Sequence, residues 1–138
     1  MTQPNGYARP LLDPAVLERL RADLEDDEGV WKVFIEDYIS NLPHRLQRVR
    51  LTLTTGDVTG AMDAVLSLKT SSQMVGAEML AGLAEDLEQS LREEVRTGDP
   101  AVVLPRLAAE HLRRIKQCAQ RTIYVLQDHL AQRPPPAV

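Results

Sequence analysis

Apolar side chains recur at spacings of three and four from about Leu11 to Leu130, and the breaks between these runs mark out five helices. Asp13 and Pro14 read as an N-cap followed by a proline at the first helical position, opening a short helix striped by Val16, Leu17, Leu20 and Leu24. The acidic break Asp26-Asp27-Glu28-Gly29 ends it, and its acids suit the N-terminus of the next helix. That second helix is long, over residues 28–55, with Trp31, Phe34, Ile35, Tyr38, Leu42, Leu46, Val49 and Leu53 on one stripe. Pro43 removes a hydrogen bond to Ile39 and is expected to bend it. Gly56 and Asp57 close this helix and cap a third over residues 58–74, and Gly76 turns the chain.

A fourth helix is expected over residues 77–96, with Leu80, Leu83, Leu87, Leu91 and Val95 inward and Glu85, Glu88, Glu93 and Glu94 outward. Gly98 ends it, and Asp99-Pro100 repeats the signature of a cap followed by proline. The last helix carries Leu104, Leu107, His111, Ile115, Cys118, Thr122, Val125 and Leu126 on one stripe, with Pro105 early enough to distort only its first turns. Neither strand-like alternation nor an internal repeat is present. Four amphipathic helices joined by short loops specify an all-α fold, an antiparallel up-and-down four-helix bundle with the short first helix to spare. The domain spans residues 11–132, between a flexible tail over residues 1–10 and a proline-rich tail over residues 133–138.

Composition narrows the function classes. A chain of 138 residues is one domain, large enough to bury a core without staples. The single Cys118 excludes an internal disulfide and suits a reducing compartment, so a cytoplasmic location is expected. No basic leader precedes an apolar run, and no apolar stretch approaches membrane-spanning length. A net charge of −4 argues against nucleic acid as the main partner. No Cys or His pair has ligand spacing, so neither metal nor cofactor is expected.

The third helix carries the distinctive pattern. Val58, Ala61, Val65, Leu68, Ser72 and Val75 make its inner face, while Leu66 and Thr70 point roughly the opposite way, flanked by Lys69 and Gln73. The run Leu66-Ser67-Leu68-Lys69-Thr70-Ser71, followed by Ser72-Gln73-Met74-Val75-Gly76-Ala77, resembles the site helix of histidine phosphotransfer (HPt) domains. The family's pattern there is His-x-Leu-Lys-Gly-Ser, then a short run ending in Gly and a small residue. Leu68, Lys69, Ser71, Gly76 and Ala77 match without a gap. The phosphoacceptor position holds Leu66, and the family's glycine is Thr70. Helix order and lengths from about Leu11 to Leu130 agree as well, and the resemblance implies that the first helix lies as a lid across one end of the bundle.

Phosphoryl transfer from an aspartyl phosphate needs a nucleophile with an available lone pair, which imidazole supplies and a leucine side chain does not. The family's lysine helps hold the phosphoryl oxygens, and Lys69 is expected either to attract the acidic pocket of a receiver domain or to be an ordinary solvated lysine. The family's glycine keeps the site uncrowded, at a cost of roughly 0.5–1 kcal/mol to the helix. Its replacement by Thr70 agrees with a site retired from transfer.

His44, His111 and His129 have Gln47, Arg114 and Gln132 where the family's arrangement would place the lysine. His111 reads as a core-edge residue, and His44 and His129 as surface residues. Arg45, Arg48 and Arg50 read as a solvated face, Cys118 as inert packing, and Ser71 and Ser72 as helix contacts without an adjacent base.

The resemblance implies a two-component phosphorelay protein, not itself an enzyme. It is expected to bind receiver domains of response regulators or hybrid kinases through Met62, Leu66, Lys69, Thr70 and Gln73. Membrane and nucleic acid are not expected as partners, and a monomer is favoured over a homodimer. Two alternatives are an active relay, through another histidine or with Leu66 as an engineered change, and a purely structural helical adaptor or homodimer.

Overall fold

Local chemistry accounts for most of the helix boundaries. The computed structural model describes residues 8–24 and 28–131, with helices α1 (Pro14–Asp23), α2 (Glu28–Thr54), α3 (Val58–Met74), α4 (Glu78–Glu94) and α5 (Pro100–Ala131) and no strand among these residues. Asp13, Asp57 and Asp99 each accept a hydrogen bond from a backbone N–H in the first turn that follows, from Ala15, Gly60 and Ala101 at 2.9–3.0 Å. Ala77, at the head of α4, makes no such side-chain cap.

Two glycines stop helices by the same device. Gly56 and Gly76 have φ of +73° and +74°, a conformation that L side chains rarely adopt. At the first, Asp57 N–H donates to Thr52 O and Gly56 N–H to Leu53 O; at the second, Ala77 N–H donates to Ser72 O and Gly76 N–H to Gln73 O. Both are Schellman turns, and both send the chain back along its predecessor. The helix α2 stays continuous through Pro43, whose ring lies on the exposed side, and α5 through Pro105.

Helices α2, α3, α4 and α5 pack in a closed ring in which each touches the next and α5 returns to α2. Connected by short turns, they form the expected antiparallel up-and-down bundle. Trp31, Leu42, Leu68, Leu87, Leu104 and Ile115 are among the side chains sealed in its axis. The ring is uneven: α2 and α5 have 27 and 32 residues, α3 and α4 only 17 each. At 1.5 Å per residue the long pair outreaches the short one by roughly 15–22 Å at the end where α3 turns into α4.

The first helix covers that step. Asp13 N–H donates to Gly76 O at 2.8 Å, Leu17 is buried, and Leu11, Leu12, Leu20 and Leu24 pack against the core. The lid is therefore where the resemblance put it. Of the proposed N-terminal tail, Arg9 is tied to Glu85 of α4 at 2.9 Å. Residues 1–7, Asp26 and Asp27 of the acidic break and the proline-rich tail over residues 133–138 lie outside the described residues, while Glu28 and Gly29 open α2.

Candidate functional site

Helix α3 sits between α2 and α4 and divides its side chains as the spacing predicts. Ala61, Ala64, Val65, Leu68 and Ser72 are buried. Thr70 and Gln73 are exposed on the outer face, and Met62, Leu66 and Lys69 are half-buried beside them. Met62 packs onto the core, whereas Leu66 stands outside the group of half-buried apolar side chains that do so. The structure thus brings all five expected docking residues to one outer surface, with Leu66 partly open to solvent at its middle.

Lys69 is not an ordinary solvated lysine. Its Nζ lies 2.6 Å from Glu88 Oε1 on α4, so its charge is compensated within the protein. On the other side Arg92 Nη2 and Nε donate to Glu88 Oε2 at 2.9 and 3.1 Å. Glu88, expected to point outward, is only 8% exposed. It follows Leu87 and lies one turn from Ala84 and Leu91, so the close approach of α4 to α3 turns it into the seam. Burial alone would raise the Glu88 carboxyl, but the hydrogen bonds and charges of Lys69 and Arg92 together outweigh it and hold the carboxyl below its ordinary value. Sequence reasoning missed Glu88 and Arg92 as members of this surface. The available signal was the acid–base spacing of four beside an inward leucine.

The α2 side of α3 is tied differently. Arg48 reaches Asp63 at 2.6 Å on the exposed surface. Arg45, expected in solvent, is half-buried and lines a shallow groove with Tyr38, Ser71 and Met74. Ser71 Oγ donates to the Ser67 carbonyl at 2.8 Å, and the Ser72 hydroxyl meets the Tyr38 hydroxyl at 2.9 Å in the core. Burial pushes the Tyr38 phenol up to about 12, and the Ser72 contact opposes this only in part. Neither serine has a base beside it.

The histidines are scattered. His44 is exposed on α2, while His111 is half-buried on α5, its pKa lowered first by burial and then by the Arg114 charge. His129 is not the surface residue expected. It is half-buried, edge-on to Trp31 with ring centroids 5.7 Å apart, because the last turns of α5 lie against the projecting start of α2. Cys118 is buried beside Thr122, and burial raises its thiol pKa, as suits inert packing. Among the described residues no group of three His, Cys, Asp or Glu side chains is placed to hold a metal, and no helix is long and apolar enough to cross a membrane.

Comparison with known proteins agrees with the helix-by-helix reading. The family model described as "Hpt domain" matches residues 33–132. The fold matches the crystal structure of histidine-containing phosphotransfer protein B (HptB) from Pseudomonas aeruginosa PAO1 with a TM-score of 0.71. That match has 22% identity and covers 91% of this chain and 98% of the other. No match is found among curated proteins. With the ring of helices, its lid and the motif on α3 all accounted for, the chain belongs to the Hpt domain family of two-component phosphorelay proteins.

Proposed function

We propose that this protein docks a receiver domain of a response regulator or hybrid kinase through the outer face of α3, without accepting phosphate. The observation that carries the reading is Leu66. A hydrocarbon side chain, half-open to solvent, stands where the resemblance of the α3 motif puts the family's acceptor histidine. No neighbouring charge gives it a lone pair, so it is neither a nucleophile nor a base.

The same side chain favours binding. An apolar residue with Thr70 and Gln73 exposed around it has the make-up of a small interface core with a polar rim. Burying a leucine fully against a partner contributes roughly 1.5–3 kcal/mol before the costs of association. Internal pairing of Lys69 with Glu88 also removes the free cation a phosphoryl group would need. On this reading the protein is a monomer without enzymatic activity, and it sequesters a receiver or competes with an active HPt protein for it.

The test is a titration against receiver domains from the same organism, run alongside a transfer assay from the phosphorylated receivers. Binding at micromolar concentration with no acid-labile phosphate on the protein is expected. Failure to bind any receiver at high micromolar concentration removes the docking reading, and histidine-bound phosphate on the unaltered chain removes the claim that it carries none.

A further inference from the structure

The seam between α3 and α4 holds two cations and one carboxylate in an arrangement that has its own chemical meaning. Glu88 presents one oxygen to Lys69 at 2.6 Å and the other to Arg92 at 2.9 and 3.1 Å. Both carboxylate oxygens are thereby committed, each to a different cation. The cations are not sealed in with it: Arg92 is 58% exposed and Lys69 22%, by side chain, against 10% for Glu88. The donors come from two helices and open toward solvent beside Leu66, three residues before Lys69 on α3.

A carboxylate and one face of a phosphate offer the same thing to such donors, a pair of oxygens that lysine meets as a point charge and arginine with a fork. We infer that Lys69 and Arg92 form an oxyanion site which Glu88 occupies as a built-in anion, holding it shut to phosphate. With Glu88 ionised the trio carries one net positive charge, already spread over two contacts, and an incoming phosphate must displace the carboxylate or lie against its charge. With a neutral side chain at 88 the same two cations face the solvent unmatched. Glu88 is thus a positioning residue that keeps Lys69 turned to α4 and away from residue 66. The inference concerns the same surface as the docking proposal and rests on that reading of α3, yet it is tested on the isolated protein, so an absent receiver partner would leave its outcome readable.

Glu88→Gln keeps the shape of the side chain and removes its charge. Titrating the unaltered protein and this variant with inorganic phosphate at low ionic strength, followed by NMR at the Arg92 Nε–H and the Lys69 amide, reads the site directly. At least tenfold tighter, saturable phosphate binding to the variant is expected, with shifts confined to the α3–α4 seam. Adding Lys69→Met to that variant should return the affinity to that of the unaltered protein. A role confined to structure would change the melting temperature of Glu88→Gln and leave phosphate affinity where it was, and that result overturns the inference. So does tightened binding that survives Lys69→Met. Should Glu88→Gln fail to give a folded spectrum, Glu88→Ala is read by the same two criteria.

Discussion

The hydroxyls of Tyr38 on α2 and Ser72 on α3 share a hydrogen bond of 2.9 Å with both side chains buried, on the inner face of the helix that carries Leu66. A buried polar pair of this kind is neutral to mildly favourable while intact and costly when halved. Tyr38→Phe leaves the fully buried Ser72 hydroxyl without this partner, and a loss of about 1–2 kcal/mol is expected in chemical denaturation.

The same pair sets an alkaline limit. The Tyr38 phenol titrates at about 12 in the folded protein, above the roughly 10 of an unfolded chain. The folded state therefore favours the protonated phenol. That contribution is fully present below pH of about 10 and is lost as pH rises from there through about 12. In a spectrophotometric tyrosinate titration the Tyr38 phenolate should appear together with unfolding.

Gly76 joins the lid to the bundle. Its φ of +74° already disfavours any L side chain, and a Cβ there would stand 2.8 Å from Asp13 O and 3.1 Å from Val16 Cβ. The Gly76 carbonyl is also the acceptor for Asp13 N–H. Gly76→Ala should cost roughly 1–3 kcal/mol. Hydrogen exchange should show the amides of α1 losing protection before those of the bundle, since the atoms a Cβ at 76 would strike belong to Asp13 and Val16 of the lid.

These positions show which parts of the fold could be read from the sequence. Caps at Asp13, Asp57 and Asp99 and stops at Gly56 and Gly76 depend on a few neighbouring residues, so their chemistry is visible in the chain itself. The outer placement of Thr70 and Gln73 follows from one helical period. The burial of Glu88 and of His129 could not be read this way, although the pairing of Glu88 with Arg92 could. Whether a residue at the edge of a helix stripe meets water or another helix depends on how closely the neighbour approaches and how far it extends. For Glu88 that neighbour is α3 and for His129 the projecting start of α2, and neither distance is written in α4 or α5 alone.

Acid stability follows from the Glu88 carboxyl. Its folded pKa is depressed below the roughly 4.3 of an unfolded glutamate, so the folded state favours the ionised form. The contribution is present above that unfolded value and disappears as pH falls through the lower folded one. Stability measured from neutral pH downward should begin to fall near pH of about 4. Glu88→Gln should lose most at neutral pH and flatten this part of the profile, so that the two proteins converge in acid.

Leu66 and Leu68, two residues apart, allow binding to be tested apart from folding. Leu68 is fully buried, and Leu68→Ala should cost about 2–5 kcal/mol by leaving a cavity between the helices. Leu66 is half-open and outside the shell packed on the core, so Leu66→Ser should change unfolding free energy by no more than about 1 kcal/mol. If the outer face of α3 docks a receiver around this side chain, the same change should weaken that complex at least tenfold, about 1.4 kcal/mol. Unfolding curves and receiver titrations on Leu66→Ser decide the matter together. Weakened binding with stability kept places Leu66 in the interface, whereas unchanged affinity places the docking surface elsewhere on the bundle.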